Sequence, residues 1–83
     1  MADKKLVGKI VHYYSKIDVA IVELSDTLRA GDKISIEGSE NFQQVVDSMQ
    51  IEHEAVDEAG KGESVGIKVK QRVHDGDKVF RLS

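Results

Sequence analysis

The stretch that decides the fold reads DKISIE and occupies residues 32–37. Its two isoleucines, Ile34 and Ile36, alternate with polar residues, and this period of two is typical of a β-strand with one buried face. The stretch VGIKVK at residues 65–70 repeats the pattern, so a second strand is predicted there. The expected core therefore includes the following residues: Ile10, Ile34, Ile36, Val65, Ile67 and Val69.

Four further stretches predict strands, at residues 6–13, 17–24, 45–51 and 78–82. The first two carry apolar residues on both faces, as strands of a small barrel do when their outer face contacts a cap or a partner. Residues 54–59 are the only helical candidate and are too few for a helix that is stable alone. The sequence thus predicts an all-β fold, a small closed six-stranded barrel over residues 6–83 that follows a flexible tail at residues 1–5.

A short motif recurs along the chain. Residues 30–34 (AGDKI) and 75–79 (DGDKV) share Gly-Asp-Lys before a β-branched residue, and residues 62–65 (GESV) form a looser copy. Glycine accepts the positive φ of a tight turn, and an acidic side chain can accept backbone N–H bonds there. We interpret the copies as strand entries rather than ligand sites, and we predict positive φ at Gly31 and Gly76.

Composition restricts the possible functions. The 83 residues allow one compact domain, and a net charge of −3 requires that any nucleic-acid contact rest on a local basic patch. There is no cysteine for a disulfide or a thiolate metal site. No apolar run predicts a membrane span or a signal peptide, so a cytoplasmic location is expected.

Several stretches together resemble a known domain. Residues 7–10 (VGKI), 28–34 (LRAGDKI), 57–67 (DEAGKGESVGI) and 75–79 are similar to the second domain of elongation factor Tu and its relatives. Residues 11–17 (VHYYSKI) and 47–51 (DSMQI) resemble the barrel at the carboxyl end of collagenase-like peptidases. They also resemble small free-standing elongation-factor-like barrel proteins.

The resemblance implies a binding module without catalytic activity. In translational GTPases this barrel packs on the nucleotide-binding domain and helps to hold transfer RNA or the ribosome. The chain has no Gly-x-x-x-x-Gly-Lys-[Ser/Thr] loop, so it is not expected to bind GTP itself. Where elongation factor Tu places polar groups against the aminoacyl end of transfer RNA, this chain has Gln50, Glu52 and Ser64.

Three patterns suggest chemistry and are each better explained structurally. Residues 62–66 (GESVG) match a nucleophile elbow, but here the serine opens a strand and no helix is predicted after it. Residues 53–57 (HEAVD) lack the second histidine of a zinc-binding His-Glu-x-x-His helix, and His12 and His74 lie in other segments. An acidic cluster at residues 52–58 is typical of a solvated loop. No catalytic residue, metal or cofactor is expected.

The best binding candidates are a basic stripe and two tyrosines. Lys68, Lys70 and Arg72 lie two residues apart and would share one face of a strand, and Tyr13 and Tyr14 could stack on a base or pack at an interface. The alternative is that the stripe merely solvates the barrel and one tyrosine ring lies in the core. Two functional hypotheses follow: contact with RNA or the ribosome, or docking on a larger protein such as a collagenase-like peptidase.

Overall fold

The protein is described from a computed structural model that covers residues 4–38, 41–52 and 54–82. These residues form an all-β fold without a helix. The strands are β1 Lys4–Tyr14, β2 Val19–Leu24, β3 Leu28–Arg29, β4 Lys33–Glu37, β5 Phe42–Val45, β6 Met49–Ile51, β7 Glu54–Val56, β8 Glu58–Ala59, β9 Ser64–Lys68 and β10 Lys78–Leu82. All the strand pairs among them are antiparallel.

Eight strands form one sheet in the order β5-β4-β10-β1-β2-β9-β6-β7, and β3 pairs with β8 separately. The long strand β1 lies near the middle of the large sheet, and its register shifts at a bulge beside each neighbour, between Leu6 and Gly8 and between Ile10 and His12. Bulges bend a strand and increase its twist. They therefore help the sheet to curl around its inner face.

The inner face carries the core. The six residues expected there from alternation are all buried, with exposed fractions between 0% and 4%. Ten more apolar residues complete the core: Val7, Ala20, Val22, Leu24, Leu28, Val46, Met49, Ala59, Val73 and Val79. The period-two prediction of the core is confirmed.

The predicted closed six-stranded barrel is wrong, because the large sheet is a curled half-barrel whose end strands β5 and β7 do not pair. After β5 ends, the Val46 backbone bonds to the turn before β4: the Gly31 N–H donates to the Val46 carbonyl oxygen at 2.7 Å, and the Val46 N–H donates to the Asp32 carbonyl oxygen at 2.8 Å. These bonds extend the β4–β5 pairing by one residue beyond Val45.

A side chain connects the two sides of this open seam. Gln44, in β5, is 5% exposed. Its Nε2 donates to the Lys68 carbonyl oxygen at 2.7 Å, and its Oε1 accepts from the Lys70 N–H at 2.9 Å. One amide thus pairs the carbonyl of the last β9 residue and an N–H two residues beyond it.

The strand boundaries correct other expectations. Residues 54–59 contain β7 and β8 rather than a helix, and the predicted strand at 45–51 is interrupted, with β5 ending at Val45 and β6 beginning at Met49. β1 includes Lys4 and Lys5, which the sequence pattern assigns to a tail. Lys5 forms an ion pair with Asp26 at 2.6 Å, and this cation lowers the pKa of the Asp26 carboxyl.

The turns at Gly31 and Gly76 have the predicted positive φ, and the turn at Gly62 shares it. Gly31, Gly62 and Gly76 have φ values of 94°, 88° and 91°. In each turn an acidic side chain directly after the glycine accepts a backbone N–H three residues earlier. The pairs are Asp32 with Arg29 at 2.9 Å, Glu63 with Gly60 at 3.0 Å and Asp77 with His74 at 2.9 Å. The strand-entry interpretation is confirmed.

Replacing Gly31 or Gly76 with alanine should lower the free energy of unfolding by roughly 1–2 kcal/mol, because an L-residue is strained at positive φ. Gly60→Ala is the matched control, since Gly60 has no positive φ and a Cβ there meets only Glu63 Oε1, at 3.9 Å. Urea unfolding measures all three variants. Equal stability of the three would contradict the turn geometry.

Replacing Gln44 with glutamate should destabilise the protein at neutral pH, because a carboxylate would face the Lys68 carbonyl oxygen. Burial and this contact raise the pKa of the introduced carboxyl above the usual value of about 4.3. Relative to wild type, the variant should therefore recover stability below the unfolded-state pKa and lose it as pH rises through the folded-state pKa. Gln43→Glu, an exposed neighbour, is the control in urea titrations across pH 4–8 and should not show this relative recovery.

Candidate functional site

A groove of about 410 Å³ lies on the outer face of the large sheet. It is lined from four strands, β1, β2, β6 and β9. Its apolar side chains come from the first two and the turn between them: Tyr14 ends β1, Ile17 lies in the β1–β2 turn, and Val19 and Ile21 project from β2. Tyr14 is 48% exposed and Ile17 is 60% exposed. Apolar side chains are thus contiguous on a surface away from the core.

The pairing register explains why these residues meet. On β2 the buried residues Ala20 and Val22 alternate with Val19 and Ile21, which are only partly buried. Tyr14 pairs with Val19, and Ile21 pairs with Gly66 of β9. On the outer face, Val19 therefore lies beside the Tyr14 ring of β1, and Ile21 lies beside Gly66 of β9, which has no side chain.

Gly66 forms the floor of the groove. A Cβ at this position would lie 3.3 Å from Val19 Cγ1 and 3.5 Å from Ile21 Cδ1. The glycine therefore leaves open the space that a side chain would fill. This is a case in which a strand glycine marks a place where another molecule can approach closely.

The groove has polar residues at one end. Gln50 of β6 pairs with Gly66, and Glu52 and Ser64 also line the groove. These are the three positions that the elongation factor resemblance groups together, and the structure does bring them to one site. Glu52 has a φ of 50°, which is unusual for a residue other than glycine and often marks a functional position.

The two tyrosines lie on opposite faces of β1. Tyr14 points outward, and its ring contacts that of His12 edge to face, with centroids 4.4 Å apart. Tyr13 pairs with buried Ala20 and packs against the core. The Tyr13 hydroxyl donates to Asp18 Oδ1 at 3.2 Å. Of the pair, Tyr14 is the residue available to a partner.

The prediction that Lys68, Lys70 and Arg72 share one face of a single strand is wrong. Lys68, Lys70 and Arg72 are all exposed, but β9 ends at Lys68. Beyond it the N–H of Lys70 bonds to the Gln44 side chain, so no neighbouring strand extends β9. Lys68 alone stays next to the groove, since it pairs with Val19.

The structure describes Ser64, His12 and His74, three of the residues considered for chemistry, in separate segments of the chain. Ser64 opens β9 and is exposed, and no helix follows it in the described part of the chain. His53 lies outside the described residues. Among the residues described, no three His, Asp or Glu side chains are grouped so that they could hold a metal ion. The described segments also contain no helix of the length and hydropathy that a membrane span needs.

The sequence pattern did not identify Ile17, Val19, Ile21 and Gly66 as site residues. A signal for the first three was present, because residues 17–24 carry apolar side chains on both faces of a strand. The pattern could not identify Gly66, since its role depends on the strands that pair on either side of it.

Comparison with known proteins relates the chain to peptidases. No family model matches it. The chain is 44% identical over 78 residues to an uncharacterized protease of Methanocaldococcus jannaschii. The alignment covers 92% of this chain and 19% of the protease. It is 37% identical over 82 residues to a collagenase of Porphyromonas gingivalis, covering 95% of the chain and 23% of the collagenase. The chain thus spans about a fifth of the length of these relatives.

Comparison with solved structures also relates the chain to a peptidase domain. The C-terminal domain of a Geobacillus thermoleovorans protein described as a U32 peptidase matches with a TM-score of 0.87 and 25% identity. The match covers 93% of this chain and 91% of that domain. The selenomethionine variant of the same domain gives the same TM-score over 90% and 96%. The relatives by sequence are therefore a protease and a collagenase, and the structural neighbours are the C-terminal domain of a U32 peptidase.

These comparisons correct the first functional hypothesis. The relatives are peptidase and collagenase domains, so classification as a translation elongation factor or RNA-binding protein is wrong. The resemblance to the carboxyl-terminal barrel of collagenase-like peptidases is confirmed. The motifs shared with elongation factor Tu are glycine turns that lead into strands.

The pKa of Tyr13 can be tested directly because the chain has only two tyrosines. Partial burial, the hydrogen bond to Asp18 and the Asp18 charge raise the Tyr13 pKa, and Arg72 opposes them. In Tyr14→Phe the remaining tyrosine should titrate above the usual value of about 10, as measured by ultraviolet absorbance. Adding Asp18→Asn should lower that pKa, and an unchanged titration would contradict the Tyr13–Asp18 contact.

The same shift affects stability. Because the folded-state pKa of Tyr13 is raised, its contribution is fully present below the unfolded-state pKa of about 10 and is lost as pH rises through the folded-state value. Asp18→Asn should reduce this loss in alkaline unfolding.

Proposed function

We propose that this chain is a non-catalytic docking barrel of a collagenase-like peptidase, and that it binds the remainder of such an enzyme through its outer groove. The observation that carries the proposal is the coverage of the relatives. Nearly the whole chain aligns with about a fifth of proteins named protease or collagenase, and a similar domain of a third protein, from Geobacillus thermoleovorans, has been solved by itself.

The groove is the surface best suited to this role. Contiguous apolar surface on a small protein commonly marks a protein interaction site, and aromatic side chains are enriched among the residues that dominate binding energy. Tyr14 and Ile17 are two of the most exposed large apolar residues in the described chain. A second, smaller depression near Leu6 is lined by Lys9, Glu23 and Lys78, so charged side chains interrupt its apolar surface.

Docking also gives a role to the apolar outer face of β2. Val19 and Ile21 contribute nothing to the inner core, yet they keep β-branched apolar side chains half-buried on the outside. Covering them with a partner would remove apolar surface from water at a gain of about 25 cal/mol per Å². The enzyme's chemistry would then reside in the partner, with the barrel positioning it.

The test is binding to the Methanocaldococcus jannaschii protease truncated before the segment that matches this chain. In isothermal titration the 83-residue chain should bind the truncated protease and should not bind the intact protease, whose own barrel occupies the site. Tyr14→Ser combined with Ile17→Ser should weaken binding at least about tenfold, as expected when exposed anchor residues are removed.

Leu6→Ser is the matched control. Leu6 is 44% exposed and lies in the same strand as Tyr14, but near its opposite end, so its loss should leave the affinity unchanged. Absence of binding by the wild-type chain would refute the docking function. Equal binding by the Tyr14 and Ile17 double variant would show that the groove is not the contact surface.

A further inference from the structure

We propose that the groove binds a short extended segment of the peptidase with a defined charge order: a lysine or arginine at one end, apolar side chains in the middle and an aspartate or glutamate at the other end. This inference rests on the docking function above and specifies the partner surface. It follows from the distribution of charge along the groove.

The acidic end of the groove lies at Glu23 of β2, Ser64 of β9 and Glu52, which directly follows β6. Glu23 pairs directly with Ser64. Since β6 is antiparallel to β9 and Gln50 pairs with Gly66, Glu52 lies two residues farther toward Ser64. Glu52 and Ser64 both line the groove at this end.

Glu52 is the charged residue that lines the groove at this end. Glu23 has Lys9 as its cross-strand neighbour on β1 but forms no ion pair with it. Within the described residues, Glu52 forms no ion pair; the pairs found there are Lys4–Glu37, Lys5–Asp26 and Arg29–Glu58. Glu52 therefore lies at the groove with a φ of 50°, and no described side chain forms an ion pair with its carboxylate.

A partner that covered the groove would remove water from this carboxylate. Burying an unpaired charge costs far more than an apolar contact returns, so a tightly bound partner must place a cation or strong hydrogen-bond donors there. A lysine or arginine side chain supplies the charge and can also donate to Gln50 and Ser64. This requirement gives the partner its basic end.

The opposite end of the groove is basic rather than acidic. Tyr14, Val19 and Lys68 form one row across β1, β2 and β9. Lys68 is exposed and has no ion pair among the described side chains. An acidic residue of the partner would meet Lys68 here, while its neighbouring apolar groups contact Tyr14 and Ile17.

The distance between the two ends sets the length of the segment. Val19 and Glu23 mark the ends on β2 and are four residues apart, which is about 14 Å at the strand rise of 3.4 Å per residue. A segment of about five extended residues therefore spans the groove, and its middle side chains lie over Gly66. The opposite charges at the two ends determine the direction in which it binds.

A charge-swapped variant tests the proposal. Glu52→Lys combined with Lys68→Glu reverses both ends, and the two changes cancel in the net charge of −3. In titration against the truncated Methanocaldococcus jannaschii protease, this variant should bind at least about 30-fold more weakly than wild type, since each end would then face a like charge. Each single reversal should weaken binding at least about tenfold.

The matched control is Glu54→Lys combined with Lys70→Glu. It makes the same charge exchange at two exposed residues that neither line the groove nor pair with a residue that does, so its affinity should stay within about threefold of wild type. Thermal unfolding confirms that each variant is folded. All four reversed residues are exposed, so comparable melting temperatures are expected.

The outcomes separate this inference from the docking function. If wild type binds and the Tyr14 and Ile17 double variant does not, docking through the groove stands. In that case, wild-type affinity of the charge-swapped variant would overturn the charge order alone. Equal weakening by the control swap would also overturn it, because the effect would then be general. A wild-type chain that fails to bind would overturn both proposals.

Discussion

The interaction on which the structure depends is the bridge that Gln44 makes across the open seam of the sheet. A half-barrel leaves backbone groups at its seam without a neighbouring strand, and a buried unpaired group costs roughly 1–3 kcal/mol. The Gln44 amide supplies one donor to Lys68 and one acceptor to Lys70, and its burial shows that water is not the alternative partner. The sheet can therefore surround a core without a closing row of backbone bonds.

The same curl produces the outer groove. β9 contributes Val65 and Ile67 to the core, and between them it exposes Gly66 to the other face, flanked by Ile21 and Gln50. One strand thus serves both stability and binding at alternate positions. If the groove docks on a peptidase, apolar burial at Tyr14 and Ile17 would supply affinity, whereas Glu52 and Lys68 would supply orientation and specificity.

The sequence resemblance to translation factors has a physical origin. The shared motifs place glycine at positive φ, an acidic side chain on the N–H three residues earlier, and a β-branched residue at the start of a strand. Any small antiparallel fold can use this local solution. The motifs therefore identify a way of entering strands, while function belongs to the surface that the strands build.

Local sequence patterns predict the all-β class, the core positions such as Ile34 and Ile67, and the turns at Gly31 and Gly76, because these features depend on residues within a few positions of one another. The tertiary structure alone decided that the sheet stays open, that residues 54–59 are strands, and that Tyr14, Gly66 and Glu52 share a groove. Gln44 lies 24 residues from Lys68, and its role depends on which strands the curl brings together. Local patterns specify conformation, whereas long-range pairing specifies which side chains meet.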